Sequence, residues 1–300
     1  MKIQLNQAYS FCQQGQRDYQ EDARWPDTNM PMHSQRFFIV CDGVGGSEKG
    51  EVASKTVCRS MANSLEDIDM SKEFTPELFS EVFDAAYNAL DNATEEGDKD
   101  MATTLTFVCF HAGGCTMAHV GDSRIYHYRK GEGIIYKSND HSWVNDMVHD
   151  GSLTPEEAEN HPNGNVITRY MSPVEDDEER WEATMVTTTD ILPDDVFVLC
   201  SDGVTNCISD NHLIEILDSE SSDSDKLKQI ASESVNSSDN NTCYLVSVKA
   251  VTGNEDIEDE EPGVTTLKLK TKVYETLDVE STKRNDKQGF IYKLKRMFNL

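Results

Sequence analysis

The chain has 300 residues, enough for one large core with a tail or for two modest domains. Its 37% hydrophobic content supports such a core, while a mean hydropathy of -0.59 leaves much of the remainder solvated. A formal charge of -28 repels phosphate backbones and anionic lipid at long range, which argues against nucleic-acid binding as a primary role.

The opening MKIQLNQAYSF has no basic segment followed by an apolar one, and no run approaches the ~18 apolar residues of a membrane span. A cytoplasmic protein without a transmembrane segment is expected. The eight cysteines form no C-x-x-C pair and several lie inside apolar runs, so they read as reduced, buried thiols.

In chain order, apolar or alternating runs predict strands at 36–41, 103–110, 115–120, 125–128, 133–136, 196–200 and 243–251. Helical spacing predicts helices at 52–65, 78–90, 143–148, 212–217 and 227–235, several with Asp, Ser or Thr near the start. The four strands between 103 and 136 follow one another through turns too short for crossover helices, which requires antiparallel pairing. Grouped helices around antiparallel strands give an α+β class. Composition shifts after Val251, where residues 254–261 are almost entirely acidic. The expected division is a domain over 1–252, an acidic linker over 253–263 and an extension over 264–300.

The chemistry is carried by aspartates at the ends of apolar strands: Asp42 after FFIVC, Asp122 after AHVG and Asp202 after FVLCS. Asp239 sits in a turn-like run before the strand from Cys243, and Asp22 follows Glu21 near the N-terminus. Any single Asp-Gly is ordinarily a turn. Several carboxylates converging at the mouth of a core need a neutraliser, and an all-oxygen set suits Mg²⁺ or Mn²⁺. Zinc would call for Cys or His at ligand spacing, which is absent. Arg17 is an early cation beside these acids, and its planar fork suits a phosphoryl group.

Taken in order, seven motifs resemble those of the type 2C, or PPM, metal-dependent protein phosphatases in their bacterial branch. They are Arg17-Asp18-Tyr19-Gln20-Glu21-Asp22, Asp42-Gly43-Val44-Gly45-Gly46, Thr103-Thr104-Leu105, Val120-Gly121-Asp122-Ser123-Arg124, Asp140-His141-Ser142, Ser201-Asp202-Gly203 and Asp239-Asn240-x-Thr242. The resemblance implies a four-layer α-β-β-α sandwich of two antiparallel sheets flanked by helices, with two metal ions, Mg²⁺ or Mn²⁺, in a cleft at one end. It further implies that Asp42 bridges the ions, that the Gly43 carbonyl ligates one, and that Asp202 and Asp239 ligate the other. Glu21 and Asp22 would hold metal-bound waters or orient the ligands, and Asp122 would hold a third ion. Residues 143–169 look like the family's flap.

Two positions depart from the family pattern. Val44 stands where eukaryotic relatives often carry a histidine, and Gln20 stands where asparagine is usual. His141 is read as a structural histidine holding a loop. The implied function is hydrolysis of phosphoserine and phosphothreonine in proteins, opposing a Ser/Thr kinase. The alternatives are a phosphatase-like scaffold that binds phosphorylated partners without turnover, and a hydrolase of small phosphoesters. Within the extension, 287–300 can be drawn as a basic amphipathic helix that docks a partner or the chain's own domain.

Overall fold

The computed structural model describes residues 1–44, 49–94, 101–159, 161–174, 180–253 and 271–274. Its strands are β1 (Lys2–Leu5), β2 (Tyr9–Gln13), β3 (Ala23–Trp25), β4 (Phe37–Cys41), β5 (Gly43–Val44), β6 (Ala102–Thr103), β7 (Leu105–His111) and β8 (Gly114–Val120). They continue with β9 (Arg124–Arg129), β10 (Gly133–Lys137), β11 (Thr184–Thr188), β12 (Val196–Cys200), β13 (Asn241–Thr252) and β14 (Thr271–Tyr274). The helices are α1 (Lys49–Glu66), α2 (Pro76–Ala93), α3 (Trp143–His149), α4 (Pro155–Glu159), α5 (Asp202–Thr205), α6 (Asp210–Asp218) and α7 (Asp223–Ser234).

Two antiparallel sheets hold most of these strands. One runs β1-β13-β12-β9-β10, with β2 also on β13, and the other runs β14-β11-β8-β7-β4-β3. Strand alternation sorts the side chains into three packed layers. On β4, Phe38 and Val40 point between the sheets, where they meet Val108, Phe197, Leu199, Tyr244 and Val246. Phe37, Ile39 and Cys41 point the other way and pack on α1 and α2 through Val57, Met61, Phe83 and Leu90. Val198, Cys200 and Leu245 likewise pack outward on α6 and α7 through Leu213, Ile216 and Ile230. Covering both faces explains why β4 and β12 read as continuous apolar runs instead of alternating ones. The four-layer α-β-β-α sandwich is therefore the fold observed.

Helix boundaries follow their caps. Thr75 receives the Leu78 N–H before Pro76, Ser209 receives the His212 N–H, and Ser222 receives the Asp225 N–H. A cap of this kind is worth about 1 kcal/mol.

The consecutive strands between 103 and 136 do not form one meander. β7 pairs with β8 and β9 pairs with β10, but β8 and β9 belong to different sheets. The chain crosses between sheets at Gly121–Ser123, and Gly121 has φ +101, a conformation that side chains resist. A Cβ there would also lie 2.6 Å from Thr104 Cγ2. This crossing places Asp122 at the end of the sandwich.

β13 ends at Thr252, and β14 lies beyond that point, pairing with β11 in the register Thr188↔Thr271 to Met185↔Tyr274. The amphipathic segment 287–300, the acidic run 254–261 and Gly45-Gly46 lie outside the described residues.

Candidate metal centre

Asp42 follows β4, and its backbone is fixed on every side. Its N–H donates to Thr104 Oγ1 at 3.0 Å, and its carbonyl accepts from Thr104 N–H at 2.8 Å and from Thr103 Oγ1 at 2.9 Å. Thr104 Oγ1 is also 2.8 Å from Ser123 Oγ, so one hydroxyl ties the Asp42 turn to the Asp122 turn. Gly43 lies against Gly50 of α1: a Cβ on Gly43 would sit 2.4 Å from the Gly50 carbonyl oxygen.

Asn240 holds the N-terminal motif in place. Its Oδ1 accepts from Glu21 N–H at 2.8 Å, and its Nδ2 donates to the carbonyls of Gln14 at 2.8 Å and Tyr19 at 2.9 Å. Gly15 adopts φ +60, and a Cβ there would lie 2.1 Å from the Asp239 carbonyl oxygen. Arg17 emerges from this loop, and its Nη2 donates to Asp239 Oδ2 at 2.6 Å. Gln20 closes the set: its Nε2 donates to Cys12 Sγ at 3.0 Å and its Oε1 accepts from Asp22 N–H at 3.1 Å. The longer amide thus still orients the acid pair.

Asp22 is buried and accepts from Ser201 Oγ at 2.8 Å through Oδ2. Ser201 in turn receives Thr242 N–H at 2.9 Å, which links β12, β13 and the Asp22 turn. Asp202 opens α5, and Asn206 Nδ2 donates to its Oδ2 at 3.2 Å. Gly203 is required here, since a Cβ would fall 2.0 Å from the Asn240 carbonyl oxygen.

The electrostatics of this cluster follow from burial and mutual repulsion. Burial pushes the Asp22 carboxyl up to about 7, with Asp202 and Asp239 adding repulsion and the Ser201 hydroxyl opposing the rise. Asp42 is held well above the usual carboxylate range by burial and then by Asp22, Asp202, Asp122 and Asp239. Burial raises Asp122 and Asp202 as well, with Asp202 repelling the first and Asp239 the second. Arg17 is too exposed, with 43% of its side chain in solvent, to neutralise four such groups.

The donor set fits divalent metal ions. Glu21 Oε1, Asp22 Oδ1, Asp202 Oδ1 and Thr242 Oγ1 are buried without a hydrogen-bond partner, and unpartnered buried oxygens are costly unless something ligates them. Oxygen donors of this kind suit a hard cation. Among the described residues no three side chains already close on one point as a finished metal shell.

A raised folded-state pKa makes the native state bind more protons than the unfolded chain, so stability falls as pH rises through that window. For Asp22 the window runs from the ordinary carboxylate value to about 7. In EDTA the protein is expected to melt ~3 °C or more lower at pH 7.5 than at pH 5.5. Saturating Mn²⁺ should remove that slope. A melting temperature that rises with pH in EDTA contradicts the electrostatic account.

His141 is not positioned as a proton carrier. Its Nδ1 accepts Gly121 N–H at 3.1 Å and its Nε2 is 2.9 Å from Thr184 Oγ1. Burial, followed by the charges of His119 and Arg169, pulls it down to about 2.

All the sequence-predicted site residues lie at one end of the sandwich. Their mutual repulsions place Asp22, Asp42, Asp122, Asp202 and Asp239 in one cluster, with Glu21 buried beside it and Arg17 on its rim. The roles of Asn240, Ser201 and Gly15 are not evident from residue type. Asn240 and Ser201 stand inside quoted motifs, and Gly15 is a lone glycine between two glutamines.

A site of acids and one arginine at the end of an α-β-β-α sandwich defines the class of metal-dependent phosphohydrolases. Residues 28–242 match the protein phosphatase 2C family. Protein phosphatase PhpP of Streptococcus pneumoniae is 32% identical over 217 residues, covering 71% of this chain and 85% of that protein. The solved structure of the Mycobacterium tuberculosis serine/threonine phosphatase PstP/Ppp is 26% identical, with a TM-score of 0.71 over 82% of this chain and 100% of that one. The catalytic domain of PstP in complex with two manganese ions is 26% identical, with a TM-score of 0.67 over 83% of this chain and 100% of that one. The chain belongs to the protein phosphatase 2C family.

Proposed function

We propose that this protein is a metal-dependent phosphatase of phosphoserine and phosphothreonine in proteins, using Mg²⁺ or Mn²⁺. The observation that carries the proposal is the cluster of Asp22, Asp42, Asp202 and Asp239, in which Asp22 is buried, the other three are half-buried, and Asp22 Oδ1 and Asp202 Oδ1 are left unpartnered. Family membership and the manganese-bound relative support it. A phosphatase-like scaffold is disfavoured because Asp22, Asp42 and Asp202 are each held above the usual carboxylate range, a cost that metal ligation offsets.

In this reading Asp42, the Gly43 carbonyl, Asp202 and Asp239 would hold the ions, with Asp42 shared between them. Glu21 and Asp22 orient this set, and Asp122 serves a third, weaker ion. The ions would supply an ionised water and neutralise charge on the phosphoryl oxygens. Arg17 binds the phosphoryl group as a bidentate fork, leaving Asp239 when substrate arrives. With Val44 in place of a histidine and both His141 nitrogens engaged, no imidazole among the described residues of these motifs donates the leaving-group proton. Water in the site performs that task.

Residues 1–252 carry catalysis, 253–263 act as a linker, and 264–300 form an extension that docks a partner or the domain itself. The substrates are products of a Ser/Thr kinase. A cytoplasmic setting is supported by eight free cysteines, six of them buried. No helix among the described residues is long and apolar enough to cross a membrane.

The test is release of phosphate from a phosphothreonine peptide by the full chain with Mn²⁺, against an EDTA control. Metal-dependent turnover is expected. No turnover with Mn²⁺ or Mg²⁺ on any phosphopeptide would return the scaffold reading.

A further inference from the structure

The imidazole of His141 sits where three segments meet: the Asp122 turn, the stem of the 142–171 segment, and β11. We propose that His141 is a positioning residue that locks the Asp122 turn in its metal-binding shape and joins that turn to the flap stem. The inference rests on the reading of Asp122 as a metal ligand.

On the Asp122 side the contact is reciprocal. Gly121 N–H donates to His141 Nδ1 at 3.1 Å, and His141 N–H donates to the Gly121 carbonyl at 2.9 Å. Gly121 needs its positive φ, and this pair of bonds holds that backbone shape from one side while the Thr104–Ser123 hydroxyl contact holds the turn from the other. On the flap side Thr168 N–H donates to the His141 carbonyl at 2.8 Å, and Trp143 N–H donates to the Val166 carbonyl at 2.8 Å. The bridge Ser142↔Ile167 continues this stem, and Thr103↔Met171 ties its far end to β6 beside the Asp42 turn.

The tautomer follows from the donors. A backbone N–H pointing into Nδ1 requires that nitrogen to be bare, so the proton is on Nε2 and is donated to Thr184 Oγ1 at 2.9 Å. Thr184 opens β11, which pairs with β8 at Thr184↔His119. His119 stacks flat on His141, with centroids 4.5 Å apart and planes at 13°, and its own Nε2 is 2.8 Å from the Asn139 carbonyl. The ring is thus held at both nitrogens and on one face; its bond with Gly121 is buried, while the Thr184 and Asn139 ends of the contacts reach the surface.

The two nitrogens can be tested separately. Asparagine at 141 can present Oδ1 near the place of Nδ1 and so accept from Gly121, whereas glutamine reaches toward Thr184 and leaves Gly121 N–H unpaired. Mn²⁺ binding to the full chain, titrated by electron paramagnetic resonance, reads the metal side without turnover. Cleavage by a glutamyl endopeptidase at the exposed Glu156 and Glu157 reads the flap side. His141→Gln is expected to weaken the weaker Mn²⁺ site ~10-fold, as loss of an outer-shell partner does, and His141→Asn to recover most of it. Thr184→Val should leave Mn²⁺ binding unchanged while speeding cleavage at the flap.

Asp122→Ala separates the inference from the reading beneath it. If Asp122→Ala leaves Mn²⁺ binding intact, Asp122 is not a ligand and the inference falls with that assignment. If Asp122→Ala weakens binding but His141→Gln does not, or if asparagine is no better than glutamine, the positioning role is wrong while the metal site stands. Wild-type flap cleavage in Thr184→Val removes the flap link.

Discussion

Asp42→Ala is expected to lower kcat/KM on a phosphopeptide at least ~100-fold, because losing a shared ligand removes water activation and charge neutralisation together. The same substitution should leave the fold intact and make it more stable in EDTA. Asp42 is half-buried and held well above the usual carboxylate range by desolvation and four neighbouring aspartates, so its removal relieves a cost that the metal-free protein carries. Stabilisation by Mn²⁺ should then shrink in the variant relative to wild type. Kinetics alone would not separate a lost ligand from a damaged fold, but the pairing of lost activity with a raised metal-free melting temperature does. Wild-type-like turnover by the purified variant would overturn the assignment of Asp42.

The second large effect lies far from the chemistry. Asp195 is fully buried, and it accepts from Arg129 Nε at 2.8 Å and Nη2 at 2.9 Å, and from Leu192 N–H at 2.8 Å. His127 Nε2 is 2.9 Å from the same carboxylate, and its ring stacks on Phe197 at 4.2 Å in the core between the sheets. The partners hold Asp195 below the usual carboxylate range against the cost of burial. Asp195→Ala leaves an imidazole and a backbone N–H without this acceptor and a mostly buried guanidinium with the Asp190 side of its pairing but not this one. Breaking a buried pair from one side costs about 3–5 kcal/mol, or roughly 10 °C in Tm for a chain of this size. Asp195→Asn, which keeps the shape and one acceptor, should cost about half. Thermal melting of both in EDTA checks this, and a loss under ~1 kcal/mol for the alanine variant would show that the network contributes little.

The parts of the fold that were legible in the sequence are those whose burial is two-sided or whose ends are capped. FFIVC and VFVLC stand out because both faces of β4 and β12 are covered, and α2, α6 and α7 announce themselves through Thr75, Ser209 and Ser222. The weak signals belong to strands that borrow their order from a neighbour. β1 and β2 are short and partly polar, and both exist because β13 is long enough to pair with one at each end. β11 reads TMVTT, without an apolar run, and is ordered by β8. The step from β8 to β9 looks like a hairpin, and only the placement of the two strands in separate sheets shows that it is a crossing. At the site, the acids were visible because Asp at the end of an apolar run is unusual. What Asn240, Ser201 and Thr104 do was not, since their hydrogen bonds join residues distant in sequence, as between Asn240 and Glu21.

The pairing of Lys2 with Thr252 has a mechanical meaning. The strands are antiparallel, so the first residues of β1 and the last residues of β13 lie side by side at one corner of the sandwich. A pull applied between them would peel β1 away one hydrogen-bonded pair at a time, starting at that corner and meeting the irregularity between Gln4 and Leu5 within a few residues. The β12–β13 ladder, five residues long from Val196↔Ser247 to Cys200↔Cys243, lies beyond that fracture line. Tension applied between Lys2 and Thr252 would therefore be spent on a peripheral zipper, and the turns that carry Asp202 and Asp239 would keep their geometry until that zipper had opened.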